Sequence, residues 1–248
     1  MENILVSIIT PAFNSSATIA KSIESVLNQT YTNIEYNIMD GGSSDDTVKI
    51  AESYRAKFEE KGIKYQIYSE KDNGMYDAIN RGIEKSNGVI VGNVNSDDYY
   101  EPDAVKIIVE EYKKEPYDVI YGDLRILRED GSQMMIKKAQ FKKFASSRYW
   151  NHPTTFITKK VYNQEQYRCE SMFDDYDLIL RLRKKGCKFR IVNKVLSNFT
   201  FGGMSNEKSL KKMFKRIKLK YKLYHDNGYG VLYYLEGMAI EIAKFILG

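Results

Sequence analysis

The chain has 248 residues, 43% hydrophobic and 13% aromatic, which suits one large packed domain and excludes a disordered protein. Its two cysteines, Cys169 and Cys187, lack metal-ligand or redox spacing, which excludes a disulfide scaffold and fits a reducing cytoplasm. The net charge of +5 sits in the Lys- and Arg-rich stretch 208–222, which has no acidic residue, and the remainder is slightly acidic; no nucleic-acid footprint over the whole protein is expected.

Met1-Glu2-Asn3 runs into Ile4 to Thr10 without a basic n-region or cleavage site, and the run is too short to span a bilayer, so it reads as a first strand, Leu5 to Thr10. Ser15 or Ser16 caps a helix with Ile19, Ile23, Val26 and Leu27 on one face. Ile34 to Met39 is a second strand. After the polar turn from Asp40 to Thr47, one helix carries Ala51, Tyr54 and Phe58 inward and stops near Gly62. Ile63 to Tyr68 is a third strand, Met75 to Lys85 a helix ended by Gly88, and Val89 to Val94 a fourth strand. Pro102 opens a helix through Lys114, and Val119 to Tyr121 returns to the sheet.

Apolar strands alternating with helices predict an α/β domain on a mostly parallel, doubly wound central sheet, with ligands at the strands' C-terminal ends. Polar clusters follow the first four strands at Pro11–Asn14, Asp40–Ser44, Lys71–Gly74 and Asn95–Asp98, and they should converge on one crevice. The second half is less regular. Leu124 to Lys138 reads as a hairpin turning at Glu129–Ser132, Tyr149 to Pro153 as an aromatic loop, and Phe173 to Asp177 as the start of a helix ended by Gly186. Lys188 to Val192 is the last core strand.

Asn95-Ser96-Asp97-Asp98 carries two adjacent carboxylates at a strand's end. Taken alone it is either a turn or a site for a hard cation such as Mg²⁺ or Mn²⁺. A glycine-rich G-x-G-x-x-G loop after the first strand, a P-loop, H-E-x-x-H and G-x-S-x-G are all absent, and the only histidines are His152 and His225. Such a sheet must hold a nucleotide through side chains and a metal.

The ordered series from Val6 to Asn14, Ser25 to Tyr31, Asp40 to Thr47, Asp72 to Gly82 and Asn95 to Asp98 resembles family 2 glycosyltransferases of the GT-A fold over roughly residues 4 to 205. The resemblance implies inverting transfer of a sugar from a nucleotide-diphosphate donor to a saccharide acceptor, with Mn²⁺ or Mg²⁺. By the same resemblance Pro11, Phe13 and Asn14 line the base and ribose pocket, and Asp40 accepts from a base N–H, which suits a UDP- or dTDP-linked donor. Asp72 and Asn73 lie near the nucleotide, with Asp77 and Asn80 supporting them. Asp97 meets the ribose or a metal-bound water and Asp98 ligates the metal, while Asn95 stands where the family often has a further aspartate. Asp175 is the implied general base, Asp174 the runner-up, and Asp177 helps to cap or orient the helix. Their competing reading is stabilisation of a helix N-terminus. Trp150 and His152 match a loop close to the acceptor or donor sugar, and Gly202-Gly203-Met204-Ser205 matches a hinged lid.

Residues 1–205 are thus expected to form the catalytic domain and 206–248 a helical extension. Leu210, Met213, Phe214, Ile217 and Tyr221 fall on one face of a basic helix, suited to the inner face of the plasma membrane, to the catalytic domain or to a second subunit in a homodimer. A lipid-linked acceptor gives membrane attachment a use. Two other classes stay open: a non-catalytic nucleotide-sugar or carbohydrate binding module, and a nucleic-acid binder using the basic tail. A sugar nucleotidyltransferase lacks the glycine- and Arg/Lys-rich opening loop it would need.

Overall fold

A computed structural model describes residues 3–201 and 209–247. Strand β1 (Val6–Ala12) is buried throughout, and its side chains alternate between two cores: Val6 and Ile8 in one, Ile9 in the other. Helix α1 (Ile19–Leu27) covers the first core with Ile19, Ile23, Val26 and Leu27, as the spacing predicts. β2 (Ile34–Asp40) pairs parallel with β1 along its full length.

The single helix expected after Asp40 is two, α2 (Thr47–Glu52) and α3 (Arg55–Glu60). Ser53 Oγ donates to the Ile50 carbonyl at 2.6 Å, the local side-chain bond that competes with helix continuation. β3 (Lys64–Ser69) pairs parallel with β2. Helix α4 (Met75–Lys85) crosses to the second core, where a Cβ on Gly82 would stand 2.6 Å from Ile9 Cγ2, so only glycine lets it lie this close to β1. β4 (Ile90–Asn93) then pairs parallel with the other edge of β1.

Beyond β4 the sheet is mixed. The two-residue β5 (Tyr99–Tyr100) precedes α5 (Ala104–Lys114), and β6 (Val119–Leu127) forms the expected hairpin with β7 (Gln133–Lys137). Short 3₁₀ turns at Ser147–Tyr149 and His152–Thr154 lead to β8 (Phe156–Thr158) and α6 (Lys159–Tyr162). Helix α7 (Asp174–Lys184) and a long β9 (Phe189–Thr200) follow. The strand order is β3-β2-β1-β4-β8-β6-β9-β5, with β7 on β6. β8 runs antiparallel to β4 and β6, β9 parallel to β6, and β5 antiparallel to β9. β5 and β8 escape a periodicity reading because two or three residues carry no measurable period.

Helices α8 (Leu210–Asp226) and α9 (Val231–Leu247) form a hairpin against the second core. α8 turns Met213, Arg216, Lys220, Leu223 and Tyr224 inward, so much of the apolar face read from the sequence lies outward, with Leu210, Phe214 and Tyr221 exposed. The cause is Glu241 of α9. It is fully buried and pairs with Arg216 Nε at 2.6 Å and Lys220 Nζ at 2.7 Å. Asn227 Nδ2 ties the hairpin to Asp177 Oδ1 at 2.7 Å, and Lys184 Nζ donates to the Gly228 carbonyl. Gly202 to Ser205, expected as a lid, lie outside the described residues.

Removing one member of a buried ion cluster strands the others and typically costs about 3–5 kcal/mol. Glu241→Ala is therefore expected to lower the urea midpoint of unfolding by that order. A midpoint equal to wild type would show that the cluster does not hold the hairpin in place.

Candidate active site

The C-terminal ends of β1, β2 and β4 open onto a cavity of about 790 Å³, lined in part by Pro11, Phe13, Asn14, Gly41, Asp72 and Asp97. Phe13 is 62% exposed there, a large apolar ring left unpacked at the cavity wall. Asn14 adopts a left-handed backbone (φ 47°), which Asn tolerates better than most residues. Its Oδ1 accepts from Ser44 N at 2.9 Å and its own N–H donates to Ser43 Oγ, so the first and second loops are tied together.

Asp40 is buried behind this wall and does not line the cavity. Its Oδ2 accepts from Gly42 N (3.1 Å), Ser43 N (3.0 Å) and Ser69 Oγ (2.7 Å), and Oδ1 accepts from Ser43 Oγ, so the carboxylate shapes its own turn. Asp72 closes over that turn: a Cβ on Gly41 would lie 2.6 Å from Asp72 Oδ2. Asn73 and Asn80 do not line the cavity. Asn73 is held by Asp77 Oδ2, and Asn80 brackets the backbone of Tyr167 through both its amide atoms.

In the turn after β4, Ser22 Oγ donates to the carbonyls of Asn95 (3.0 Å) and Asp98 (2.6 Å). Asp97 is exposed to the cavity, whereas Asp98 is buried just beneath it. Asp98 Oδ2 accepts from Asn95 Nδ2 at 3.2 Å, but Asp98 Oδ1 and Asn95 Oδ1 are buried without partners among the described residues. Burial, and secondarily the charge of Asp97, hold the Asp98 carboxyl well above the usual carboxylate range. Two orphaned oxygens beside an exposed carboxylate fit a hard divalent cation, which takes oxygen ligands. No cluster of three or more His, Cys, Asp or Glu suited to a metal occurs among the described residues.

A second cavity, of about 430 Å³, is lined by Trp150, His152 and Asp175. Asp175 Oδ1 accepts from Tyr176 N at 2.7 Å, and Oδ2 lies 3.8 Å from His152 Nδ1. Asn93, the last residue of β4, brings its Nδ2 to 2.9 Å from His152 Nε2. With the amide donating, Nε2 accepts and the ring proton sits on Nδ1, facing Asp175. Burial lowers the His152 pKa and keeps the ring neutral; burial also raises that of Asp175, against the opposing pull of His152. Asp174 is committed elsewhere: its oxygens accept from Glu170 N (2.6 Å) and from Ser171 N (2.8 Å) and Oγ (3.0 Å). Asp177 binds Arg181 and Arg168 besides Asn227.

Asn93 and Tyr76 were not singled out by sequence reasoning. Tyr76 stands on the first turn of α4 near Asp175, and its hydroxyl donates to the Met172 carbonyl at 3.2 Å. A polar Asn ending an apolar strand was the available signal for Asn93.

Residues 7–173 match the sequence model of Glycosyl transferase family 2. The chain is 30% identical to a chondroitin synthase of Escherichia coli over 90% of its own length and 32% of the relative's. It is 28% identical to a hyaluronan synthase of Pasteurella multocida over 93% of its length and 24% of that protein's. The chain therefore spans about a third or less of these two polysaccharide synthases. A PGL/p-HBAD biosynthesis glycosyltransferase of Mycobacterium bovis is 29% identical over 88% of this chain and 85% of its own. Among solved structures, S. aureus TarS in complex with UDP superposes with a TM-score of 0.68 at 18% identity, covering 96% of this chain and 71% of that one. The mannosyltransferase PcManGT of Pyrobaculum calidifontis, in complex with GDP-Man and Mn²⁺, gives 0.67 at 12% identity over 96% and 69%. At these identities the shared feature is the GT-A fold.

The orphaned oxygens generate a test that does not depend on turnover. Because the folded Asp98 binds its proton more tightly than the unfolded one, its ionisation costs stability as pH rises from the ordinary carboxylate range through its raised value. Metal-free Asp98→Asn should melt at or above the wild-type temperature at pH 7.5. Mn²⁺ added over UDP alone should raise the wild-type Tm by several further degrees, since a ligand at a hundred times its Kd adds about 2.7 kcal/mol, and that increment should be absent in the variant. A Mn²⁺ shift retained in Asp98→Asn would remove this turn as the metal site.

Proposed function

The chain belongs to glycosyl transferase family 2, and from that premise we propose an inverting, metal-dependent hexosyltransferase. It moves a sugar from a UDP- or dTDP-linked donor to a saccharide acceptor, lipid-linked, in cell-surface polysaccharide synthesis. The observation that carries the reading is Asp175: one oxygen anchored by Tyr176 N, the other toward His152, at a second cavity that Asn93 links to the end of β4.

Phe13 and Pro11 offer apolar surface to a nucleobase, and Asn14 and Asp72 frame the ribose side. Asp40, behind that wall, shapes the turn that carries Gly41 into the pocket. Asp97 and Asp98, with Asn95 Oδ1 as a neutral partner, would hold Mn²⁺ or Mg²⁺, which supplies positive charge where the leaving diphosphate gathers negative charge. Asp175 Oδ2 takes the proton of the acceptor hydroxyl as that oxygen attacks the anomeric carbon from the face opposite the leaving phosphate. Burial raises the carboxylate pKa and makes it a stronger base, while the Tyr176 N–H and neutral His152 keep it oriented.

The hairpin suits attachment at the cytoplasmic face of the plasma membrane. α8 exposes Leu210, Phe214 and Tyr221 among Lys211, Lys215 and Lys218, and α9 exposes Val231, Leu232, Leu235, Met238, Ile242 and Ile246 along one stripe. Apolar side chains rimmed by lysines complement an anionic lipid surface. No helix among the described residues is long and apolar enough to cross a membrane.

Asp175→Asn should lower sugar transfer by about a thousandfold, within the range for loss of a general base, while UDP-sugar binding is retained. Transfer at near wild-type rate would refute the base assignment. Donor binding with neither transfer nor hydrolysis in the wild type would favour a non-catalytic binding module. For the hairpin, vesicles containing phosphatidylserine should sediment the protein, neutral phosphatidylcholine vesicles should not, and Phe214→Asp should weaken the binding. A salt-independent dimer without vesicle binding would instead give that face to a second copy.

A further inference from the structure

The cavity that holds Asp175 is built with an excess of positive charge. Four cations line it, each from a different segment: Lys137 of β7, Arg148 of a 3₁₀ turn, Lys220 of α8 and Lys244 of α9. Asp175 is the carboxylate among the lining residues. Lys137 Nζ is satisfied by the Ser147 and Trp150 carbonyls at 3.1 and 2.7 Å, and Lys220 by Glu241. The side chains of Arg148 and Lys244 have neither a hydrogen bond nor an ion pair with any described residue. The repulsion is felt locally: burial, then the nearby ammonium groups of Lys244 and Lys220, bring the Lys137 pKa down to about 8.

One neutral donor adds to this. Trp150 Nε1 is buried without a partner among the described residues, and the ring lines the same cavity. Buried donors ordinarily find an acceptor, so an orphaned indole N–H beside two cations without a hydrogen bond or ion pair describes a site that takes an acceptor-rich occupant. A neutral saccharide would satisfy the indole but not the cations.

We propose that this cavity selects an acceptor carrying an anion, a carboxylate or a phosphate, and that Arg148 and Lys244 recognise that anion while Asp175 faces the hydroxyl that reacts. The assignment rests on the glycosyltransferase reading and deepens it. It makes α9 part of the acceptor site, so the C-terminal hairpin shapes specificity as well as packing. The carboxylate of a uronic acid and the diphosphate of a lipid-linked saccharide share the chemistry required.

Isothermal titration of the full chain, saturated with UDP and Mn²⁺, separates the two sources with three probes. These are a glucuronate-terminated disaccharide, its glucose-terminated counterpart and a dodecyl-diphosphate-linked glucose. At least one anionic probe should bind about tenfold tighter than the neutral one, the order expected for a charged hydrogen bond. Arg148→Gln and Lys244→Gln should each remove most of that preference while leaving the neutral probe unchanged. Preference for glucuronate alone assigns a sugar carboxylate; preference for the diphosphate alone assigns the lipid linkage. Equal affinity for all three probes, or loss of neutral and anionic binding alike in both variants, would overturn the proposal. UDP-GlcNAc binding measured on the same samples keeps the failures apart: if wild type does not bind it, the donor reading fails, whereas intact donor binding with no anion preference sinks only this inference.

Discussion

Everything at the site depends on where β4 sits. It pairs parallel with β1 on one side and antiparallel with β8 on the other, so the regular and irregular halves of the sheet meet along this one strand. Its four residues end in Asn93, two residues before the acidic turn, and Asn93 reaches across to His152 at the start of the second half. One strand end thus fixes two things at once: the turn whose oxygens face the first cavity, and the histidine that faces Asp175 in the second. A slip of β4 by one residue would reverse its side chains and break both connections.

The first half of this arrangement was legible because parallel strands buried on both faces read as continuous apolar runs, and their polar loops stand out between them. The series Pro11–Asn14, Asp72 and Asp97 does meet at one cavity. Sequence pattern does not reveal which oxygen of a given aspartate is already occupied. Asp40, Asp174 and Asp177 look as free as Asp97 and Asp175 in the sequence, yet the first two close backbone turns and the third binds arginines and Asn227. Local bonding of Asp to nearby N–H groups is the competing use for this residue type, and here it separates Asp174 from Asp175.

The C-terminal helices show a use of charge that spacing does not reveal. Hydrophobic spacing places Leu210, Met213, Phe214, Ile217 and Tyr221 on one face of α8 and leaves open what covers it, but a buried Glu241 draws Arg216 and Lys220 inward. Lys and Arg bury long apolar stems, so a face built on them scores as polar in sequence while packing as core. Part of what reads as a basic tail is therefore internal structure. The charge left for a surface partner is smaller than the sequence count, and the apolar side chains left outside are more numerous.

The two cavities are left with opposite electrical deficits. Asn95 Oδ1 and Asp98 Oδ1 lack positive partners on one side, and Arg148 and Lys244 lack negative ones on the other. A buried polar group left alone costs free energy, so the two oxygens are costly to leave without a ligand, whereas Arg148 and Lys244 are exposed and held by water until an anion replaces it. Each deficit is the mirror of a proposed ligand, a divalent cation with its diphosphate in the first cavity and an acceptor anion in the second. Asp175 stands at the second of them beside His152, whose neutral ring neither quenches the carboxylate nor adds to the cationic excess. A protonated histidine there would stabilise the carboxylate and weaken it as a base, so the burial that keeps His152 neutral is as much a part of the proposed mechanism as the carboxylate itself.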